Sequence, residues 1–351
     1  MSTATMPAPN ASAQVLPEKK HHSNQKVGRV IGNIVVYLIL IVMSVVWLAP
    51  IVWLVLQSLS GDSGVKSLSK LYPSTWTFDN YIYLFTNQVR SLNGKTVGDS
   101  LYNFFGRVTV ANDPSGLPAG QFLPGAFLYT LFIAIAVAIL STLLCLASSY
   151  AFSRLRFKGR TAMMKTILVL GMFPGFLGLI VIYAMFRMIG LVGSQDQSSI
   201  GPMWALILIY SGGAGMGYYI SKGFFDTISK QIDEAAMVDG ASKWQIFYKI
   251  TLPLAKPIVV YTVLTSFMGP WAEYITASYM FAGGATNFTY GNPMTVAVLL
   301  KDMLDTTSNH RSLYWKEFCA GAIVVAIPTS LLFVMLQKNY VSGVTGGAVK
   351  G

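Results

Sequence analysis

Long apolar runs alternate with polar segments along this chain. The runs cover Val30–Leu56, Ala126–Phe152, Met163–Met188, Met203–Ile220, Pro257–Phe281 and Phe318–Leu336. Each meets or approaches the roughly 20 residues with which a helix crosses hydrocarbon, so the pattern predicts six transmembrane helices. The strict alternation of a membrane barrel is missing, and the expected fold class is an all-α membrane protein. The same pattern divides the chain into a polar N-terminal tail, 1–29, and a first transmembrane helix, 30–56. A polar loop rich in Ser, Gly, Asn and Asp follows over 57–125. A core of five helices covers 126–337 and contains a polar segment, 226–256; a tail closes the chain over 338–351.

Three spans carry residues that a lipid-facing helix resists. In the third, "GMFPGFLGL" sets Pro174 among three glycines. Proline removes a backbone donor and is tolerated at membrane depth only where neighbours or water satisfy the freed groups, which points to a bend or a cavity. In the fourth, Gly213 and Gly217 stand at the small-xxx-small spacing that lets helices approach closely. In the fifth, Glu273 is a carboxylate at membrane depth, costly unless it faces the bundle interior or water. Gly269 and Pro270, just before it, are expected to break the helix there. Glu273, Pro174 and Gly213 are therefore the candidate residues of a translocation path. Arg187, near the end of the third span, is expected to reach the interface with its stem along apolar surface.

Composition supplies the orientation. Of 351 residues, 53% are hydrophobic and 11% charged, with a formal net charge of +11. If the spans alternate, one side collects Lys19, Lys20, Lys26, Arg29, Arg154, Arg156, Lys158, Arg160, Lys165, Lys222, Lys230, Lys243, Lys249, Lys256, Lys338 and Lys350. By the positive-inside rule that side, with both termini, is the cytoplasm, and the loop 57–125 lies outside. Charges spread over short connecting segments do not make a nucleic-acid-binding face, and no nucleic-acid partner is expected. "SRLRFKGR", Ser153 to Arg160, reads as a topology anchor of this kind. Cys145 and Cys319 fall inside spans and read as small apolar fillers, and the adjacent His21 and His22 as solvated tail residues, so no metal site is expected. Met1–Lys26 is polar and the first apolar run is too long for a cleavable signal peptide. Gly94, Lys95 and Thr96 mimic the end of a phosphate-binding loop, but the position of its first glycine is Val89. This chain therefore has no such ATP site of its own, and no catalytic group is assigned.

The polar segment between the fourth and fifth spans has the grammar of a soluble helix pair. Ser229 is a candidate N-cap, and Asp233 and Glu234 follow near the positive end of the helix dipole. Ile232, Ala235 and Ala236 fall on one face. Gly240 then supplies a conformation that other residues resist. A second short helix carries Trp244, Phe247 and Tyr248 on one stripe, and Pro253 is expected to stop it. Helices this short are marginal in water, so a partner must hold them, and the alanines suit a shallow cleft.

Glu234, Ala235, Ala236, Gly240, Ile250 and Pro253 resemble the EAA signature of the membrane subunits of binding-protein-dependent ATP-binding-cassette (ABC) importers. The stretches "MFPGFLGLIVIYAMFRMIG", "SGGAGMGYYISKGFF" and "YVSGVTGGAVKG" look like those of the maltose/maltodextrin permease subunits of that family, and with the signature they cover most of the chain after Phe122. The resemblance implies a type I importer permease fold in the bacterial cell membrane, with the signature on a cytoplasmic coupling helix that docks on an ATPase subunit. It also implies two ATPase subunits that bind the ATP, a second membrane permease subunit, an external sugar-binding protein, and a sugar, here maltodextrin, as substrate. The terminal Ser342, Gly343, Thr345, Gly346 and Gly347, which composition alone reads as a flexible end, become an ATPase contact. A proton-coupled secondary transporter built on Glu273 is the alternative. It leaves the coupling segment unexplained, and two similar halves are not evident in the sequence. A membrane scaffold or receptor is the third reading.

Overall fold

The computed structural model describes residues 22–62, 72–90, 97–100, 102–110, 118–172, 175–193, 200–213, 215–282, 294–305 and 310–348. The chain divides into two units, Met1–Trp53 and Leu54–Gly351. The first holds most of α1 (His22–Ser58). Its side chains from Val30 to Val52 are exposed all around, as an apolar helix surrounded by lipid would be. At 1.5 Å per residue, Val30–Ser58 is about 43 Å long, ample for a bilayer.

In the second unit, α2 (Asp79–Thr86) is followed by two small antiparallel hairpins. β1 (Gln88–Arg90) pairs with β2 (Val97–Asp99), and β3 (Gly106–Val108) with β4 (Phe122–Pro124). These three-residue strands decorate the end of a helical bundle and leave the class all-α.

The bundle comprises α3 (Ala126–Arg154), α4 (Arg160–Gly171), α5 (Gly175–Met188), α6 (Ile200–Gly212) and α7 (Gly215–Thr227). The polar segment forms α8 (Lys230–Val238), α9 (Lys243–Gln245), a π-helical turn (Ile246–Thr251) and α10 (Leu252–Leu254). Then come α11 (Lys256–Ala272), α12 (Ile275–Ala282), α13 (Val296–Asp302) and α14 (His310–Ala348). The central helix is α3, packed against α6, α7 and α11, while α11 also packs on α14. Small buried residues on α3, among them Ala134, Ala138, Ser141 and Ser149, let those neighbours come close. The core joins Ile133, Val137, Leu206, Trp271 and Tyr314 to Tyr102 and Phe104 of the hairpin end. A smaller cluster, Leu146, Phe225, Phe247, Ala255 and Ile258, lies at the α8 end.

Among the described residues, three continuous helices are long and apolar enough to cross a membrane: Val30–Ser58, Ala126–Arg154 and Arg311–Lys338. The other expected spans are broken. The third is divided between α4 and α5, with Leu177–Met188 its longest apolar piece; Pro174 lies outside the described residues. The fourth bends by 42° between α6 and α7. Gly213 stands at that bend with its N–H bonded to Ile209 O (2.9 Å). That bond is the last i to i−4 bond of α6 among the described residues, and α6 and α7 each pack on α3 from either side of the bend. The fifth run becomes α11, a break at Glu273 and Tyr274, and α12. Pro270 lies inside α11 rather than ending it, so the break falls three residues later than expected. The sixth helix runs on through the glycine-rich end to Ala348, which replaces the flexible end suggested by composition with helical backbone.

Candidate functional site

Local chemistry builds the polar segment as its sequence implies. Ser229 caps α8, its hydroxyl accepting from Gln231 N (3.3 Å). At the other end Gly240 takes φ +82°, and two bonds close the turn: Ala241 N to Ala236 O (2.9 Å) and Gly240 N to Met237 O (3.1 Å). This is the Schellman pattern, whose left-handed position glycine fills without strain. Two residues on, Ser242 begins α9 with a capping box: its hydroxyl accepts from Gln245 N (3.3 Å) and its N–H donates to Gln245 Oε1 (2.8 Å). The expected stop at Pro253 is displaced. Pro253 fits inside the first turn of α10, and the chain bends at Ala255 by 83° into α11. Proline at a first turn lacks only a donor that would be unsatisfied anyway, so it does not stop the helix.

This segment is tied to the bundle by charged and aromatic groups. Arg154, the last residue of α3, places Nε 3.1 Å from Asp233 Oδ2, an ion pair with both side chains almost fully buried. Its Nη2 donates to Ile228 O (2.8 Å). Ser153 donates to Asp226 Oδ1 (2.6 Å), and Lys222 to Asp226 Oδ2 (2.5 Å). Below them the Tyr150 ring lies 4.7 Å from that of Phe247 and 6.1 Å from that of Phe225. "SRLRFKGR" is thus more than a topology anchor. Its first two residues hold α7 and α8 to the central helix, which sequence reasoning missed. The signal for it was a basic residue at the end of one apolar run and an acidic one in the first turn of the next polar helix.

The face turned inward from α8 is made by Asp233 and Ala236, three residues apart. Ile232 and Ala235, expected to share a face with Ala236, are exposed, as are Glu234, Met237, Val238, Trp244 and Tyr248. Gly240 and Pro253 are also exposed and Ile250 is half-buried. An apolar surface containing Ile232, Val238 and Trp244 is therefore open at this end of the chain.

Deeper in the bundle, a cleft of about 510 Å³ opens between α3, α6, α7 and α11. Both Gly213 and Glu273 line it, along with Ser141, Tyr210, Tyr261, Thr262, Thr265, Ser266 and Thr276. Glu273 Oε2 accepts from Tyr210 Oη (2.7 Å) and from Ala277 N (3.3 Å), while Oε1 accepts from Thr276 N (2.9 Å). The carboxylate thereby satisfies first-turn N–H groups of α12 near their positive dipole end. Hydroxyls along such a wall can exchange hydrogen bonds with a polyhydroxylated solute. Ser342, Gly343, Thr345, Gly346 and Gly347 belong to the backbone of α14, and their side chains lie outside the described part. Among the described residues no group of His, Cys, Asp and Glu could hold a metal ion.

The family model described as "binding-protein-dependent transport system inner membrane component" matches residues 143–345. A galactooligosaccharides transport system permease protein of Bacillus subtilis (strain 168) is 31% identical over 331 residues, 94% of this chain and 99% of the relative. A maltodextrin transport system permease protein of the same organism is 31% identical over 331 residues, 93% of this chain and 100% of the relative. A maltose/maltodextrin transport system permease protein of Yersinia pestis is 34% identical over 257 residues, 73% of this chain and 77% of the relative. Among solved structures, a chain of a bacterial ABC transporter involved in import of the acidic polysaccharide alginate superimposes with a TM-score of 0.60. That chain is 21% identical, with 88% of this chain and 96% of the other covered.

Proposed function

Since this chain belongs to the family of binding-protein-dependent transport system inner membrane components, a family of transport permeases and not enzymes, we propose that it is the membrane permease subunit of an ATP-driven oligosaccharide importer. The observation that carries this reading is the α8 to α10 segment: two capped helices hinged at Gly240, tied to α3 by Arg154, with an apolar face left open. That face, with Glu234, Ala235 and Gly240, docks on a cytoplasmic ATPase subunit. Ala236 and Ile250 back it from the bundle side, and Pro253 leads into the bend.

Closure of two ATPase subunits around ATP, which they alone bind, displaces α8. Arg154 and the Phe247 cluster pass the displacement to α3, α7 and α11, whose inner faces line the cleft. Alternating access then follows from two packings of the same helices, biased by nucleotide and by an external sugar-binding protein. A second permease subunit completes the path, with Glu273, Gly213 and Pro174 the candidate residues of this chain along it. Both termini lie in the cytoplasm of the bacterial cell, where Ser342, Gly343, Thr345, Gly346 and Gly347 make a second ATPase contact. The substrate is maltodextrin, as in the names of two of the relatives above, with a galacto-oligosaccharide the competing solute. A proton-coupled carrier is less favoured because Glu273 is engaged by three donors on its own chain.

The test is reconstitution of the assembled transporter in proteoliposomes with labelled maltotriose and galactotriose. ATP-dependent, vanadate-sensitive uptake of maltotriose is expected. Uptake driven by a proton gradient without ATP would overturn the importer reading, and preference for galactotriose would overturn the substrate alone.

A further inference from the structure

The importer reading leaves α2 and the segment leading into it without a role. Phe78, Ile82 and Phe85 recur at intervals of four and three residues, so they fall within one narrow arc of the helix, and all three are more than half exposed. Asn80 and Leu84 occupy the opposite arc and are buried. Trp76 and Tyr72, just before the helix, are exposed as well. The only charged side chain among the residues from Tyr72 to Thr86 is Asp79.

The height of this face along the bundle is set by ties to two places, the segment 58–61 and the start of α3. Asn80 Nδ2 donates to Ser58 O (2.8 Å) and Ser60 O (2.9 Å), and the Ser58 and Tyr81 hydroxyls bond at 2.8 Å. Backbone bonds from Gly61 N to Thr75 O and from Thr77 N to Leu59 O, both 2.9 Å, lay the segment around Trp76 back along the same chain end. Finally, Phe85 stacks on Phe105 at 4.0 Å, and Phe105 lies 4.9 Å from Phe127, the second residue of α3. One set of ties ends where the apolar run of α1 gives way to Gln57 and Ser58; the other ends where α3 begins. At both points an apolar run meets polar residues, which is where hydrocarbon is expected to give way to headgroups.

From this placement we propose that α2 is an interfacial anchor: Phe78, Ile82 and Phe85 lie in the acyl–headgroup boundary of the membrane at the hairpin end, with Trp76 in the aromatic belt. An apolar stripe of aromatic and aliphatic side chains at that depth is what the boundary accepts. With no Lys or Arg in the segment, attachment rests on apolar burial and is indifferent to lipid charge. The anchor fixes the depth and tilt of the α1 and α3 ends against the bilayer.

The test labels Ile82→Cys with a bimane fluorophore in the assembled transporter in lipid nanodiscs, with Ala119→Cys, at the exposed turn before β4, as reference. Cys145 and Cys319 are buried, so within this chain the introduced thiol is the one that reacts, and the unsubstituted transporter taken through the same labelling gives the background from the other subunits. The Ile82 label should be quenched several-fold more strongly than the reference by lipids carrying a nitroxide near the headgroup, and several-fold less by aqueous iodide. Exchanging anionic for zwitterionic lipid should leave both ratios unchanged. Iodide quenching equal to that at Ala119 would overturn the anchor by placing the stripe in water. Protection from both quenchers in the transporter, with lipid quenching of the lone subunit, would overturn it in favour of cover by the second permease subunit.

Discussion

At the scale of single residues, Gly240 is where backbone geometry and proposed function coincide. A Cβ there would meet no other atom within 4 Å, so substitution is opposed only by the positive φ of +82°. That penalty is about 1–2 kcal/mol for an ordinary L-residue and larger for a β-branched one, whereas asparagine tolerates the region better. Membrane insertion should be unaffected, since no span changes. Coupling should fall in the order glycine, asparagine, alanine, valine, measured as ATPase retained on purification and as uptake per ATP hydrolysed. Equal behaviour of Gly240→Asn and Gly240→Val would show that the Schellman turn does not set the aim of α9. Glu273 teaches a different lesson at the same scale. Its place within an apolar run was legible in the sequence, and the N–H groups of Thr276 and Ala277 that it accepts from are local, but its bond from Tyr210, 63 residues away, forms only in the folded bundle.

Between elements, the decisive contact is the one that holds α8 to α3. Arg154 and Asp233 are an ion pair by distance, although Nε is not aligned as a hydrogen-bond donor and Asp233 Oδ1 is buried without one. Removing one partner of a buried pair leaves the other charge desolvated, at a cost of about 3–5 kcal/mol, while replacing both with apolar residues costs much less. Asp233→Leu or Arg154→Met alone should therefore lower the thermal midpoint of the subunit and uncouple ATP hydrolysis from uptake. The double variant should recover part of the stability, although the bond from Arg154 to Ile228 O is still lost. A double variant as unstable as the sum of the two singles would show that the pair is not what joins these helices. The 83° bend at Ala255 belongs to this scale too. Two proline-containing turns, around Pro253 and Pro257, flank a residue with φ −90° and ψ 16°, and the buried Ala255 packs with Phe247 and Ile258.

At the largest scale, the second unit, Leu54–Gly351, has two chemically distinct ends. Arg154, Arg156, Arg160, Lys165 and Lys222 gather around the ends of α3, α4 and α7, and the aromatic hairpin end carries α2. By the positive-inside rule the first end is expected to face the cytoplasm, as proposed above. A cysteine at Ala119 should therefore be labelled by an impermeant thiol reagent in intact cells, and one at Lys243 only after permeabilisation. Labelling of Lys243 from outside would invert the orientation and remove the coupling segment from reach of any cytoplasmic ATPase.

The sequence by itself determined the features whose physics is local. Transfer of an apolar run from water to lipid depends on the run alone, so the all-α membrane class followed from it. Capping depends on residues two to five apart, so Ser229 and Gly240 could be placed without any tertiary information. Only the tertiary structure decided where spans break, which face of α8 is covered, and what Arg154, Glu273 and α2 touch. Those outcomes rest on partners tens of residues away, as with Arg154 and Ile228, 74 residues apart. The free energy of such a contact depends on burial and alignment, which exist only once the helices have packed.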